Sequence, residues 1–319
     1  MDTTKKSSGT KWFWGIFISL ILIVLIFVGI TFLFFAKSIT TISIKSDKSY
    51  EYVSEGDSKG KVAIVELNYT IISSESIVRQ FKKFREDESV KAIVLRINTP
   101  GGGVAASQEM YEEVRKTRDS GKPVIVSFGP IAASGGYYVS CGGSLIVSNP
   151  GSLTGSIGVI AQFITIKELA EKLGIEATTV KSGELKDAGN MFREPNEADI
   201  EYIQDIIDNS FQQFLDVVSR ERKIDMEELK KIATGRVYTG VQALELRLVD
   251  TLGTFEDAIQ IAADMGGIEG EPTIVKEKKS MAWLDYFMES STNSEIRELK
   301  EDFKNEFLEK PILQYKYEK

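Results

Sequence analysis

Apolar and polar residues alternate along the central part of this chain in blocks that predict strands and helices in turn. Apolar runs of strand length occupy residues 62–67, 92–97 and 123–127. Helical spacing of apolar residues follows the first run at 71–85, and a second helix is predicted to open at Val104. Strands that alternate with helices build βαβ units, so the pattern predicts an α/β fold with a mainly parallel sheet buried on both faces.

The second half of the chain combines weaker strand signals with one long helix. Residues 145–147 and 177–180 are short strand candidates. Residues 198–222 carry apolar side chains on one stripe, which predicts a long amphipathic helix whose stripe packs on the core. Shorter helices are predicted to follow at 225–233, 240–247 and 254–265.

The N-terminal part departs from this rhythm. Residues 12–36 are 25 consecutive residues without a charge, and a helix of that length exceeds the ~30 Å core of a bilayer. Phe34 and Phe35 stand where a cleavable signal peptide needs small residues, so we expect an uncleaved signal anchor. Lysines are almost balanced across the span, but the short tail and the adjacent Lys11 favour a cytoplasmic N-terminus. We therefore expect a single-pass protein of the cell membrane with its large domain outside the cytoplasm.

These segments divide the chain into five parts. An N-terminal tail at 1–11 precedes the anchor at 12–36, a polar linker covers 37–60, and the α/β domain covers 61–270. Residues 271–319 form a charged C-terminal tail with isolated aromatic residues. This tail is either a mobile appendage or a segment that docks onto the domain or onto a partner.

Composition limits the chemistry that this chain can perform. Its 319 residues include no histidine, which excludes a Ser-His-Asp triad, a Cys-His pair and a histidine metal site. The formal net charge of −8 argues against a nucleic-acid partner, because nucleic-acid binding depends on clustered lysine and arginine. A serine nucleophile in this chain would most plausibly need a lysine as its base.

Ser134 is the candidate nucleophile. It lies in the string IAASGGYY, from Ile131 to Tyr138, where a predicted strand gives way to a helix. Small neighbours let the backbone turn sharply, and the N–H group of Gly135 is a natural oxyanion donor at the start of the helix. The string is similar to the Gly-x-Ser-x-Gly elbow of hydrolases, although Ala132 replaces the first glycine. A glycine-rich turn with a helix-capping serine is the simpler explanation of such a string on its own.

A glycine loop at 98–103 lies one predicted strand–helix unit before Ser134. Both loops follow strands of a parallel sheet, so they should meet at the edge of the sheet where ligands bind. The N–H group of Gly101 or Gly102 could face Gly135 and complete an oxyanion hole. A phosphate-binding loop is the rival interpretation, but the Gly-x-x-x-x-Gly-Lys-Ser/Thr pattern is absent from this segment.

Two lysines are candidates for the base. A lysine can accept a proton near neutral pH only where burial lowers the pKa of its amine from about 10.4 to about 7–8. Lys186 lies in a glycine-flanked loop, Lys181 is its rival, and the neighbouring Asp187 argues against Lys186. The residues alone do not choose between the two lysines. Ser156 is a candidate for orienting the amine, although a structural loop serine is equally compatible with its position.

Four motifs occur in an order that resembles the bacterial signal peptide peptidase A family, also called protease IV. They are NTPGGG at 98–103, AASGGYY at 132–138, TGSIGV at 154–159 and SGxxKD at 182–187. The resemblance covers roughly residues 55–270 together with the N-terminal anchor. It implies a ClpP/crotonase-like fold and a membrane-anchored Ser-Lys serine peptidase that needs no metal or other cofactor.

Residue by residue, the resemblance implies Ser134 as nucleophile, Lys186 as general base, and oxyanion donors in the Gly101 loop and at Gly135. Residues 184–185 depart from the family, in which an aromatic residue commonly precedes the lysine. The length matches the short family form, which implies a homo-oligomeric ring or dome whose sites combine neighbouring subunits. Remnant signal peptides and other unstructured hydrophobic peptides are the expected substrates.

Two further functions are compatible with such a fold. A crotonase-like enzyme acting on acyl-CoA would share the fold, although no convincing carboxylate pair stands beside the glycine loops. A non-catalytic membrane scaffold that binds peptides or a partner through its C-terminal tail is the other alternative.

Overall fold

The computed structural model describes residues 50–54, 56, 58, 60–277 and 314–316. The predicted N-terminal tail, the predicted membrane anchor and most of the predicted linker lie outside these residues. Within the described part of the chain, no helix is both long enough and apolar enough to cross a membrane.

Strands and helices alternate through the described residues as the hydrophobic pattern predicts. The strands are β1 (Tyr50–Ser54), β2 (Lys61–Leu67), β3 (Val90–Thr99), β4 (Gly101–Gly103), β5 (Val124–Ala133), β6 (Leu145–Ser148), β7 (Leu153–Gly155), β8 (Val237–Thr239), β9 (Thr251–Leu252), β10 (Thr273–Glu277) and β11 (Gln314–Lys316). The helices are α1 (Glu75–Glu86), α2 (Val104–Asp119), α3 (Gly135–Ser140), α4 (Lys167–Lys172), α5 (Glu197–Arg222), α6 (Met226–Ile232), α7 (Gly240–Glu245) and α8 (Phe255–Met265). A short 3₁₀ turn covers Glu184–Asp187.

Most of these strands belong to one sheet that is largely parallel. Its strand order is β1-β10-β2-β3-β5-β6-β9, with β7 paired to β5 and β8 paired to β7. The pairs from β10 through β2, β3, β5 and β6 to β9 are all parallel, and β1 is antiparallel to β10. The prediction of an α/β fold with a mainly parallel sheet is confirmed.

The central strands are buried on both faces because their side chains alternate between two cores. In β3, Ile93 and Leu95 belong to the larger core, which also contains Phe81 of α1 and Phe214 of α5. Val94 belongs to the smaller core, which lies against α8. Continuous apolar runs such as residues 92–95 are therefore required here, since each successive residue is buried on one face or the other.

Two predicted elements differ from the structure. The helix predicted from residue 71 begins only at Glu75, because Ile71 pairs with Gly102 in an isolated β-bridge. The strand predicted at 177–180 does not form, and Val180 is 95% exposed. Its β-branched residues fit a strand, but no sheet edge lies beside them to supply hydrogen bonds or to cover their side chains.

The sheet also extends past both ends of the predicted 61–270 domain. Strand β1 comes from the segment assigned to the linker, and β10 comes from the segment assigned to the C-terminal tail. Both strands are short and contain charged residues, so their composition is typical of solvated segments. Strand β11, also from the tail, pairs antiparallel with β4.

Candidate active site

Three loops leave the sheet at the same level, because the strands that carry them are parallel and in register. Thr99 of β3 pairs with Ala132 of β5, and Ala132 pairs with Thr154 of β7. Gly101 follows Thr99 by two residues, and Ser134 follows Ala132 by two residues, so both lie just past the ends of these paired strands. The carboxyl ends of parallel strands are the usual place for a ligand site in an α/β fold.

The backbone at Ser134 has the conformation of a nucleophile elbow. Strand β5 ends at Ala133, α3 begins at Gly135, and Ser134 between them has φ 52° and ψ −113°. A positive φ is uncommon for a residue with a Cβ atom, and such strain concentrates at functional sites. The turn is held in place by a hydrogen bond of 2.8 Å from the N–H group of Ser134 to the carbonyl oxygen of Gly155.

The side chain of Ser134 is buried but makes no hydrogen bond. Its exposed fraction is 0%, and no group among the described residues pairs with its Oγ atom. The hydroxyl does not cap α3, so the alternative of a helix-capping serine is not what the structure shows. An unpaired buried hydroxyl destabilises a fold by about 1–3 kcal/mol, and a catalytic role is one reason for a protein to retain such a group.

Ser156 lies beside Ser134 with a similar backbone. Ala133 pairs with Gly155 across β5 and β7, so the two serines are the next residues of adjacent parallel strands. Ser156 has φ 51°, and its N–H group donates to the carbonyl oxygen of Arg236 at 2.9 Å. The structure therefore brings the predicted nucleophile and the predicted orienting serine together.

The glycine loop requires glycine because a neighbouring backbone approaches it closely. A Cβ atom on Gly102 would lie 2.0 Å from the carbonyl oxygen of Ile71. Ile71 donates to the oxygen of Gly101 at 2.8 Å and accepts from the N–H group of Gly103 at 2.7 Å. The N–H group of Gly101 donates to Thr99 Oγ1 at 3.2 Å, so one of the two predicted oxyanion donors already has a partner.

Gly102 faces the opposite side of the loop, where an extended segment is bound. Backbone polar groups alternate in direction along a strand, so Gly102 points away from Ile71. On that side Tyr315 of β11 pairs with Gly102 in antiparallel register, and β11 lies near α2 and α3. For residues 314–316, the alternative in which the tail docks onto the domain is the one that the structure shows. This edge of the loop accepts an extended peptide backbone.

Gly135 completes the group of predicted oxyanion donors. It is the first residue of α3, so its N–H group has no acceptor within the helix. The start of this helix packs on the end of β3, since a Cβ atom on Gly136 would lie 2.7 Å from Thr99 Cγ2. The donors of α3 and the glycine loop therefore lie at one edge of the sheet, beside Ser134.

Lys186 is not brought to Ser134 within one chain. It lies in the 3₁₀ turn Glu184–Asp187 and is exposed to solvent. Because Ser134 Oγ has no hydrogen-bond partner among the described residues, the Lys186 amine does not contact it. Lys186 also forms no ion pair with any residue that the structure describes.

Lys181, the rival base, is occupied by other groups. Its Nζ atom lies 2.6 Å from Asp187 Oδ1 and 2.7 Å from the carbonyl oxygen of Glu184. Arg193 binds the same carboxylate, with its Nε atom 2.9 Å from Asp187 Oδ2. Hydrogen bonds from Arg193 and then Lys181 hold the pKa of Asp187 well below its usual range. The carboxylate that argued against Lys186 is thus neutralised by two other cations.

Sequence reasoning missed Arg193 and a cavity next to Ser156. The cavity has a volume of about 640 Å³ and is lined in part by Ile160, Ile207 and Phe211. The spacing of Lys181, Asp187 and Arg193 was a charge pattern that could have been noticed, but no motif marks it. The cavity walls come from segments far apart in the chain, so no local pattern could have predicted it.

The arrangement is suited to acyl transfer. A buried hydroxyl on a strained turn lies beside two glycine-rich segments whose N–H groups can stabilise an oxyanion. An extended peptide backbone binds along one of these segments. A cavity lined by Ile160, Ile207 and Phe211, together with polar residues such as Gln204 and Asp208, lies next to Ser156. Among the residues that the structure describes in one chain, no base hydrogen-bonds to the hydroxyl.

Comparison with known sequences supports this chemistry. The profile of Peptidase family S49 matches residues 116–269, and the profile of Clp protease matches residues 45–151. The two matches overlap on the segment that carries Ser134. Both families are named as proteases.

Individual relatives carry related names. "Putative protease slr0021" from Synechocystis sp. is 42% identical over 212 residues, which cover 66% of this chain and 76% of that protein. "Putative signal peptide peptidase SppA" from Enterococcus faecium is 36% identical over 222 residues, covering 66% of this chain and 64% of that protein. "Protease 4" from Haemophilus influenzae is 33% identical over 251 residues, and the match spans only 38% of that longer protein.

Proposed function

This chain belongs to peptidase family S49, the signal peptide peptidase A family, and is a serine peptidase; from that premise we propose that it is a membrane-anchored endopeptidase with a Ser-Lys dyad. The observation that carries the proposal is the Ser134 hydroxyl, which is buried, unpaired within the described residues, and presented on a strained strand-to-helix turn. Membership of a peptidase family decides against the acyl-CoA enzyme and the non-catalytic scaffold.

The proposed reaction assigns one role to each group. Neutral Lys186 takes the proton from Ser134 Oγ as that oxygen attacks a peptide carbonyl carbon. The N–H groups of Gly135 and, in the glycine loop, of Gly102 stabilise the resulting oxyanion, because the Gly101 N–H group already donates to Thr99 Oγ1. The Lys186 ammonium then protonates the departing amine, and a water molecule repeats the cycle on the acyl-enzyme with Lys186 again as the base. Ser156 orients the amine.

The dyad is proposed to form between two copies of the chain in a homo-oligomeric ring. Two observations support this: Ser134 Oγ has no hydrogen-bond partner among the described residues of its own chain, and Lys186 is exposed. Residues around Lys186 also expose apolar side chains that a neighbouring copy could cover. These include Ile164 (65% exposed), Leu169 (56%), Leu173 (66%), Ile175 (50%) and Ile200 (60%).

Unstructured hydrophobic peptides, including remnant signal peptides, are the proposed substrates. The pairing of β11 with β4 supports a binding mode in which the substrate lies as an antiparallel strand on Gly101–Gly103. The cavity beside Ser156 supports a preference for an apolar side chain. Residues 12–36 would anchor the enzyme in the cell membrane, with the peptidase domain on its extracytoplasmic side.

Labelling and subunit mixing test the proposal. The detergent-solubilised protein is treated with a fluorophosphonate, and we expect mass spectrometry to find the label on Ser134. Ser134→Ala and Lys186→Ala should each abolish cleavage of an unstructured peptide, whereas Lys82→Ala, a change of another exposed lysine, should not. Co-expressing the two inactive variants should restore part of the activity, because some mixed interfaces join an intact serine to an intact lysine.

Each result has a clear opposite. Full activity of purified Lys186→Ala would reassign the base, and labelling at a different serine would reassign the nucleophile. If the two inactive variants fail to complement each other while remaining oligomeric, the dyad does not form between subunits.

A further inference from the structure

The segment that carries Lys186 has almost no hydrophobic core of its own. Among residues 161–195, which the structure describes in full, only Ala170 is buried. Apolar burial stabilises structure by about 25 cal/mol per Å², so a segment with this little burial depends on other contacts for its position. The polar contacts of the segment therefore decide where Lys186 lies.

Arg193 makes the densest set of these polar contacts. Its Nε and Nη2 atoms lie 2.9 Å from the two carboxylate oxygens of Asp187, and Nη2 also donates to the Asp187 carbonyl oxygen at 3.2 Å. Its Nη1 atom donates to Asp199 Oδ2, and its Nη2 atom donates to Asp199 Oδ1 at 2.9 Å. The guanidinium thus joins two carboxylates that are 12 positions apart in the chain. Two-pronged arginine–carboxylate pairs fix geometry as well as distance.

Asp199 attaches this network to a rigid part of the fold. It is 2% exposed and lies in the first turn of α5, where its side chain and that of Asn196 form a capping box. The other end of α5 is anchored in the core through Phe214. Arg193 therefore connects the turn that carries Lys186 to a helix that the whole fold holds in place.

The same network controls the charge around Lys186. Asp187 is its immediate neighbour, and a free carboxylate there would favour the charged form of the Lys186 amine. Arg193 and Lys181 occupy that carboxylate instead, and together with Asp199 the network holds two positive and two negative charges. Glu184, on the same turn, is the other acidic residue beside Lys186. Removing Arg193 would leave Asp187 with Lys181 alone.

We propose that Arg193 is a positioning residue for the Ser-Lys peptidase reaction. It holds the Lys186 turn against the start of α5, and it keeps the Asp187 carboxylate from pairing with the Lys186 amine. The inference rests on the proposed function, because it assumes that Lys186 is the base.

Arg193→Gln tests both parts of this role. We expect kcat on an unstructured peptide to fall about 100-fold with little change in KM, because a shift of about 1 Å in a catalytic group has that order of effect. We also expect the acid limb of the kcat profile to move up by about one pH unit, because the Asp187 carboxylate, then held by Lys181 alone, favours the ammonium form of Lys186. Purely structural damage would lower the folded fraction without moving that limb.

Three variants sharpen the result. Arg193→Lys keeps the charge but loses the two-pronged geometry, so it should retain the wild-type acid limb with a partly reduced kcat. Arg193→Gln combined with Asp187→Asn should return the acid limb to its wild-type position while kcat stays low. Arg222→Gln is the matched control: Arg222 binds both oxygens of Asp250, at 2.8 and 3.0 Å, outside the site. Its kcat and pH profile should match those of the wild type.

The outcomes separate this inference from the proposed function. If Lys186→Ala is inactive but Arg193→Gln behaves like Arg222→Gln, only the role of Arg193 is overturned. If Lys186→Ala keeps full activity, the proposed base is wrong and the inference fails with it. If Arg193→Gln does not fold, Arg193→Lys decides: a kcat equal to that of the wild type would overturn the positioning role.

Discussion

The two halves of the proposed dyad lie in regions of opposite character. Ser134 is buried at the edge of a parallel sheet, where strand register and close backbone approach fix its position. Lys186 lies on an exposed turn within residues 161–195, where ion pairs rather than a core supply most of the order. The nucleophile therefore depends on the global fold, whereas the base depends on local electrostatics and, as proposed, on a neighbouring subunit.

This contrast indicates how the activity could be limited to the assembled state. A region with few buried apolar contacts opens at a lower free energy than the sheet does. In the proposed dyad, a base carried by such a region meets its nucleophile only when a neighbouring subunit holds the two together. Four predictions test the contrast, and they run from the largest expected effect to the smallest.

Replacing a buried aromatic residue should affect the two regions very differently. Phe214 is fully buried, and its ring lies 5.0 Å from that of Tyr138 in edge-to-face contact. Phe214→Ala should lower the free energy of unfolding by about 3–5 kcal/mol, because it leaves a cavity in the larger core. Phe163, in the segment 161–195 that carries Lys186, is 40% exposed, and Phe163→Ala should change the free energy of unfolding by less than about 1 kcal/mol. Urea titrations of both variants measure the difference, and equal losses would contradict the contrast.

Replacing a glycine by alanine should also affect the stability of the two regions differently. Gly102→Ala would bring a Cβ atom to 2.0 Å from the Ile71 oxygen at a backbone φ of 155°, so we expect a loss of about 3 kcal/mol and of peptidase activity. Gly183, three residues before Lys186, has extended backbone and no atom within 4 Å of the added carbon. Gly183→Ala should therefore be neutral or slightly stabilising. Thermal unfolding and peptide cleavage, measured together, check both variants.

Lowering the pH should destabilise the segment that carries Lys186, residues 161–195, before it destabilises the sheet. Arg193 and the backbone of Asn196 lower the pKa of Asp199 to about 2, and Arg193 and Lys181 lower that of Asp187. Since these folded-state values lie below the unfolded value of about 3.9, the stabilisation is complete above that pH and is lost as the pH falls through the folded values. Amide exchange between pH 5 and 2 should therefore accelerate across residues 181–199 before it does in β3 or β5. In Arg193→Gln, the acceleration should begin at a higher pH. An onset at the same pH as in the wild type would show that the ion pairs of Arg193 do not stabilise this segment.

Removing the tail strand should have the smallest effect on stability. A chain ending at residue 313 lacks β11, and we expect its unfolding free energy to fall by less than about 1 kcal/mol, because a single short strand pair is marginal in water. The Gly102 amide should exchange faster, and cleavage of short peptides should rise a few-fold because the edge of β4 is free. A chain that lacks only residues 317–319 is the matched control. Slower cleavage after removal of β11 would show that the tail assists substrate binding.

Local patterns predicted the elements that carry the site to within a few residues. Apolar runs of strand length located β2, β3, β5 and β6, because buried parallel strands need apolar residues on both faces. The exclusion of histidine and the small residues around Ser134 pointed to the serine elbow that the structure contains. These successes share one cause: each depends on neighbours within a few positions.

The failures depend on distant neighbours. Residues 177–180 look like a strand but have no sheet edge beside them, whereas the charged segment of β10 enters the sheet because β1 and β2 flank it. Arg193 was missed because its importance comes from meeting Asp187 and Asp199 in space. A solvated arginine and one that joins two carboxylates are identical in sequence.

The amino-acid sequence by itself determined the α/β rhythm and the absence of imidazole chemistry, and it offered Ser134 as the candidate nucleophile, since periodicity and composition are local properties. Only the tertiary structure decided that Gly101, Ser134 and Ser156 leave the sheet side by side, and that Lys186 stays apart from them in one chain. Strand register and the surface that covers an exposed turn arise from residues far apart in the chain. For that reason no local pattern encodes them.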